Sequence, residues 1–140
     1  MTIRSLVLAV FLLPLAFVVS AQDPATAGGG KALVGKWTGK WLSDGRSRAS
    51  GDMQMELVAE ADRVTGRVMF VTSATPPCLS EWQKFAGGSE GGKVSAQVDL
   101  QGRCGKVNMM FWIDPKDKDV LTGTYSSEYP DKGRIHLTRQ

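Results

Sequence analysis

The sequence predicts an all-β protein, a single small eight-stranded antiparallel up-and-down β-barrel that follows a signal peptide. Three observations carry this expectation. Short segments along the chain alternate apolar and polar residues with period two, as half-buried strands do. A glycine recurs inside such segments, in Val34-Gly35-Lys36-Trp37, Val64-Thr65-Gly66-Arg67-Val68 and Leu121-Thr122-Gly123-Thr124-Tyr125. Glycine within a strand marks a bend or a close backbone approach, which a tightly curved sheet requires. The connections are short, so each strand pairs with the next, and pairing the last with the first removes the exposed edges. A two-sheet β-sandwich satisfies the same alternation and is the alternative; the in-strand glycines favour the barrel.

The amino terminus reads as an export signal. Arg4 precedes an apolar run from Leu6 to Val19, and Val19-Ser20-Ala21 has the small-x-small pattern cut by signal peptidase, so cleavage is expected before Gln22. The run is about 14 residues, short of the ~20 needed to cross a bilayer, which leaves no membrane span once residues 1–21 are removed. The next cysteine lies far beyond the cut, which argues against a lipid anchor. A periplasmic or secreted chain of roughly 120 residues remains, enough for one core. Residues 22–31 contain Gln-Asp-Pro-Ala-Thr-Ala-Gly-Gly-Gly, with no periodicity and little to bury, and should form a flexible leader to a barrel domain at 32–140.

The first strand, about Leu33 to Leu42, sets Leu33, Gly35, Trp37, Gly39 and Trp41 on one face and Lys36, Thr38 and Lys40 on the other. The second, about Met53 to Glu60, turns Met53, Met55, Leu57 and Ala59 inward. A tight turn at Ala61-Asp62-Arg63 leads to the third, whose Val64, Gly66, Val68 and Phe70 share a face. The fourth falls within Trp82 to Gly87, where Trp82 and Phe85 differ in parity. The fifth has the cleanest alternation, Val94, Ala96, Val98 and Leu100 against Ser95, Gln97 and Asp99. The sixth sets Val107, Met109, Phe111 and Ile113 inward, with Met110 and Trp112 making its outer face oily as well. The seventh turns Leu121, Gly123 and Tyr125 inward, and the eighth Gly133, Ile135, Leu137 and Arg139. No segment shows a helical period.

Gly35-Lys36-Trp37 in the first strand resembles the glycine-x-tryptophan signature of lipocalins and the wider calycin group, and Leu121 to Tyr125 resembles strands of avidin-type barrels. The resemblance implies that Trp37 is covered by an arginine near the last strand, where Arg139 stands, in a cation-π contact worth about 1 kcal/mol. A solvent-facing Arg139 beside an ordinary core tryptophan is the alternative. The chain departs from lipocalins in length and in lacking a recognisable helix after the barrel, so their large cavity does not carry over.

Cys78 and Cys104 are the only cysteines. In an oxidising compartment such a pair is expected to form a structural disulfide, stabilising by roughly 3–4 kcal/mol. Counting strands up and down places both at the same end of the barrel. A redox function would want a closely spaced pair, which is absent. His136 is the lone histidine, at an outward position, and no second ligand completes a metal site. Asp114, Asp117 and Asp119 read as a solvated hairpin turn rather than a calcium loop. The chain has no nucleophile elbow, phosphate loop or inward pair of carboxylates, so neither a catalytic residue nor a cofactor is assigned. Net charge is +3, with basic residues scattered among acidic ones, unlike the basic stripe of a nucleic-acid-binding protein.

The longer connections, Ser43 to Asp52, Thr72 to Glu81 and Ser126 to Lys132, share the end of the cysteines, which makes that end the expected mouth. Trp41, Met53, Met55, Phe70 and Tyr125 are the expected lining, with Arg46 and Arg48 at the rim to hold an anionic headgroup. Eight-stranded barrels are just wide enough either to pack their own side chains or to hold one small ligand, and packing is slightly favoured.

Three functions fit. The first is a binding module for a small hydrophobic or amphipathic ligand. The second is an interaction or inhibitor module for an envelope protein, working through loops around Pro76, Pro77 and Glu128 at one end of a filled barrel. The third is an enzyme using Tyr125, Glu128 or His136. The binding module is the leading expectation.

Overall fold

The structure is a computed structural model that describes residues 29–45, 49–71, 81–100, 105–128 and 131–140. The expected signal peptide, most of the leader, Arg46, Arg48, Cys78, Cys104 and the Pro76-Pro77 loop lie outside the described residues.

A short helix, α1 (Gly29–Leu33), precedes eight strands: β1 (Gly35–Ser43), β2 (Ser50–Glu60), β3 (Arg63–Val71), β4 (Gln83–Glu90), β5 (Lys93–Asp99), β6 (Lys106–Asp114), β7 (Asp117–Ser127) and β8 (Lys132–Arg139). Every neighbouring pair is antiparallel, and β8 returns to β1, with Trp41 opposite Ile135 and Trp37 opposite Arg139, so the barrel is closed. Closure rules out the sandwich.

Alternation makes these strands because each buries one side only. Val94, Ala96 and Val98 of β5 are buried while Ser95, Gln97 and Asp99 are exposed, and β6 repeats the pattern with Val107, Met109 and Phe111. Trp37, Phe111, Met53, Met55, Leu121, Ile135 and Leu137 are among the largest fully buried side chains. Hairpin chemistry fixes the register. Gly91 and Gly92 both have positive φ, 56° and 78°, as a two-residue turn between right-twisted strands demands. At the next hairpin, Asp114 and Asp117 each accept a backbone amide two residues on, from Lys116 and Asp119.

The strands are longer than the sequence suggests at several ends. β2 starts at Ser50, just after Ser43 N–H donates to Ala49 O, and β7 at Asp117, because the aspartate turns let pairing begin immediately after the bend. Trp82 falls outside β4, whose inward residues are Phe85 and Gly87; its ring lies 4.6 Å beneath the Arg67 guanidinium. The sheet is coiled so tightly at Gly39 that a Cβ there would stand 2.2 Å from the His136 carbonyl oxygen.

The helix is the main departure from expectation. Leu33 belongs to α1 rather than to the first strand, and Gly29, Gly30 and Lys31 are helical rather than part of the leader. Five residues are too few to show a 3.6-residue period or to stand as a helix alone. Tertiary contacts hold this one. Leu33 has no exposed surface, and the α1 carbonyl groups are met in turn. Val34 N–H donates to Lys31 O, Arg139 Nη2 to Ala32 O, Trp37 Nε1 to Leu33 O, and Arg139 Nη1 to Val34 O. A helix end buried against a barrel needs such partners. Gly35 makes the turn into β1 at φ 136°, and a Cβ there would lie 3.0 Å from Arg139 Nη1, so glycine answers both the backbone and the guanidinium. The Arg139 guanidinium carbon sits 4.2 Å from the Trp37 ring centroid, and its Nε donates to Asp119.

Candidate functional site

With α1 and the three tight turns (61–62, 91–92 and 115–116) sealing one end, the ends of β1, β3, β5 and β7 at Ser43, Val71, Asp99 and Ser127 come together at the other, called the open end below. The strands flanking both cysteines run to this open end.

Its described residues form one connected cluster. Trp41 of β1 meets Tyr125 of β7 edge to face, centroids 6.1 Å apart and planes at 89°. The contact crosses β8, and Gly133 permits it: a Cβ there would lie 2.7 Å from Tyr125 Cε1 and 1.9 Å from the Leu42 carbonyl oxygen. Tyr125 then reaches past the end of its strand and donates through its hydroxyl to Asp131 Oδ2 at 3.0 Å. The other carboxylate oxygen of Asp131 accepts the hydroxyl of buried Ser43 at 2.5 Å, and Ser43 Oγ accepts Gly45 N–H. Asp131 therefore ties β1 to β7 across the rim. Beside it, Arg134 pairs with Asp44. Burial, and then the Asp131 carboxylate, push the Tyr125 phenol well above its ordinary value, so it stays protonated and offers no base at neutral pH.

Two indoles on β1 point inward, and their N–H groups differ. Trp37 Nε1 has the Leu33 carbonyl at 2.8 Å. Trp41 Nε1 is buried and has no hydrogen-bond partner among the described residues.

Of the expected lining, Trp41 and Tyr125 are in contact, and Phe70 and Met53 stand opposite one another on β3 and β2. Met55 lies deeper than expected, opposite Trp37 towards the sealed end. Both methionines have no exposed surface, whereas Phe70 and Tyr125 keep a little. His136 is exposed on the outer face of β8, opposite Lys40, away from the cluster. Glu128 accepts the Lys106 amide and so fastens the β7–β8 connection to the start of β6. Asp131 and Ser43 were missed by sequence reasoning; a serine and an aspartate 88 residues apart carry no local signal. Among the described residues no group of histidine, cysteine and carboxylate side chains is arranged to hold a metal ion.

The cluster thus offers an aromatic wall, a neutral phenol engaged with a carboxylate, and one indole donor without a partner among the described residues. No family model, curated protein or solved structure matches the chain.

Proposed function

We propose that the protein is an exported, lipocalin-like barrel that binds a small hydrophobic or amphipathic molecule at its open end. The observation that carries this reading is the buried Trp41 Nε1, which has no acceptor among the described residues. An unmade buried hydrogen bond costs about 1–3 kcal/mol, which an oxygen on a ligand seated against Trp41, Tyr125 and Phe70 recovers. The Gly35-x-Trp37 corner beneath Arg139 supports the likeness to calycin barrels. Export brings with it the pairing of Cys78 with Cys104 and a periplasmic or extracellular location.

The test is to purify the protein from the export compartment, extract it and identify bound molecules by mass spectrometry. A panel of fatty acids, fatty alcohols and long-chain ketones is then titrated against tryptophan fluorescence. Binding should weaken about tenfold in Trp41→Phe, which keeps an aromatic wall and removes the donor. An empty protein with no fluorescence response would sink this reading. The second reading, a filled barrel acting on an envelope protein through its loops, draws on the complete burial of Met53 and Met55, and a protein partner recovered by cross-linking would support it.

A further inference from the structure

The outer wall of the barrel is divided by charge. Over β1–β3 it is an ion-pair ladder: Glu56 lies between Arg67, at 2.8 Å, and Lys36, at 3.8 Å, and Lys40 pairs with Asp52. Over the middle of β5–β7 it is uncharged, between Lys93, which lies over the Trp112 ring, and the Asp99 and Lys106 positions that face one another at the far end. Register sets Gln97 beside Asn108 and Asn108 beside Ser126, and in the next row Ser95 beside Met110 and Met110 beside Thr124. All six are exposed, and Met110 keeps 42% of its surface. They line an open depression of about 670 Å³ that reaches Asp44 and Lys132 and adjoins the open-end cluster at Tyr125 and Gly133.

We infer that this depression is a second binding site, on the outer wall and adjoining the open end, and that its ligand is an oligosaccharide. Gln97 Nε2 donates to Asn108 Oδ1 at 2.9 Å, a bond that uses neither the Gln97 oxygen nor the Asn108 amino group. One free acceptor beside one free donor suits neighbouring hydroxyl groups on a sugar ring. The hydroxyls of Ser95, Thr124 and Ser126 add groups that both donate and accept, and the Met110 thioether gives the C–H face of the ring an apolar seat. Other occupants fit less well. A peptide strand cannot add to a closed barrel, because every strand already has two neighbours. A second copy of the chain would find a single exposed large hydrophobic residue here, too little for a dry dimer core. Lys132 has no ion-pair partner among the described residues and lies at the end of the Gln97, Asn108, Ser126 row. A uronic acid carboxylate placed there meets a free ammonium.

The experiment is a titration of the ¹⁵N-labelled protein with glucose oligomers and with oligomers containing glucuronic acid. The side-chain amides of Gln97 and Asn108 and the backbone amides of 108–110 and 124–126 should move, with affinity several-fold higher for the acidic oligomer. Asn108→Ala and Met110→Ala should each weaken binding about tenfold, and Lys132→Ala should erase the preference for the acidic oligomer. Gln54→Ala, on the outer face of β2, should bind as the parent protein does. Asn108, Met110 and Lys132 are exposed and Gln54 is half-buried, and a retained amide spectrum shows that each variant folds. Unmoved amides at millimolar saccharide would overturn the inference, as would shifts around Trp41 that leave the side-chain amides of Gln97 and Asn108 unmoved.

Discussion

Arg139 should be worth more than any other partly exposed side chain, and its replacement tests how the sealed end is held. The guanidinium donates at 2.7 Å to the carbonyls of both Val34 and Ala32 and lies over Trp37, while its side chain remains 30% exposed. Hydrogen bonds from a charged donor reach about 1.5–3 kcal/mol, and partial exposure lowers each here to about 1 kcal/mol. The ring contact adds roughly 0.5–1 kcal/mol, and the exposed Asp119 pair adds little. Arg139→Ala should therefore cost about 3 kcal/mol. Arg139→Lys should lose about half of that, because one ammonium cannot bridge two carbonyls while stacking on an indole. With a urea m-value of about 1–3 kcal/mol/M, the alanine variant should unfold at a midpoint lower by about 1–3 M, read by tryptophan fluorescence with m unchanged. An alanine variant within about 0.5 kcal/mol of the parent, or a lysine variant equal to it, would refute the reasoning.

Gly133→Ala should destabilise by about 3 kcal/mol or more, since its Cβ would fall on the Leu42 carbonyl oxygen; Gly88→Ala, with nothing within 4 Å, should stay within about 1 kcal/mol, and thermal melts of the two variants distinguish them. Tyr125 makes stability depend on alkaline pH. Its folded phenol titrates above the unfolded value of about 10, so the folded chain retains a proton that the unfolded chain releases. That contribution is complete below about pH 10 and falls by about 1.4 kcal/mol per pH unit as pH rises towards the folded value. Urea midpoints measured between about pH 9 and 11 should drop more steeply for the parent than for Tyr125→Phe, and parallel curves would exclude the effect.

The strands were legible because alternation is a local property, and Val94-Ser95-Ala96-Gln97-Val98 declares its buried side without reference to anything else. Closure was legible through the glycines, since residues such as Gly39 are required only where the next backbone is close. Leu33 was misassigned because its parity matches the inward residues of β1, and nothing local reveals that Gly35 breaks the strand at φ 136°. The cluster at the open end was half readable. Trp41 and Tyr125 follow from parity, whereas the Asp131 bridge depends on two strands meeting across a third. Nor can composition distinguish Trp37, whose N–H finds a helix carbonyl, from Trp41, four residues on, whose N–H finds no acceptor among the described residues.

Arg139 contacts Ala32 and Val34 across more than a hundred residues of chain, and β1 has no second neighbour until β8 pairs with it. A nascent polypeptide emerging from the ribosome can assemble the hairpins in order yet cannot lock them, because the seam waits for the final stretch to be synthesised. Contacts of such long range make folding slow, and the unfinished sheet retains two raw borders in the interval. Chains shortened before residue 132 should consequently accumulate as aggregates rather than as smaller folded units.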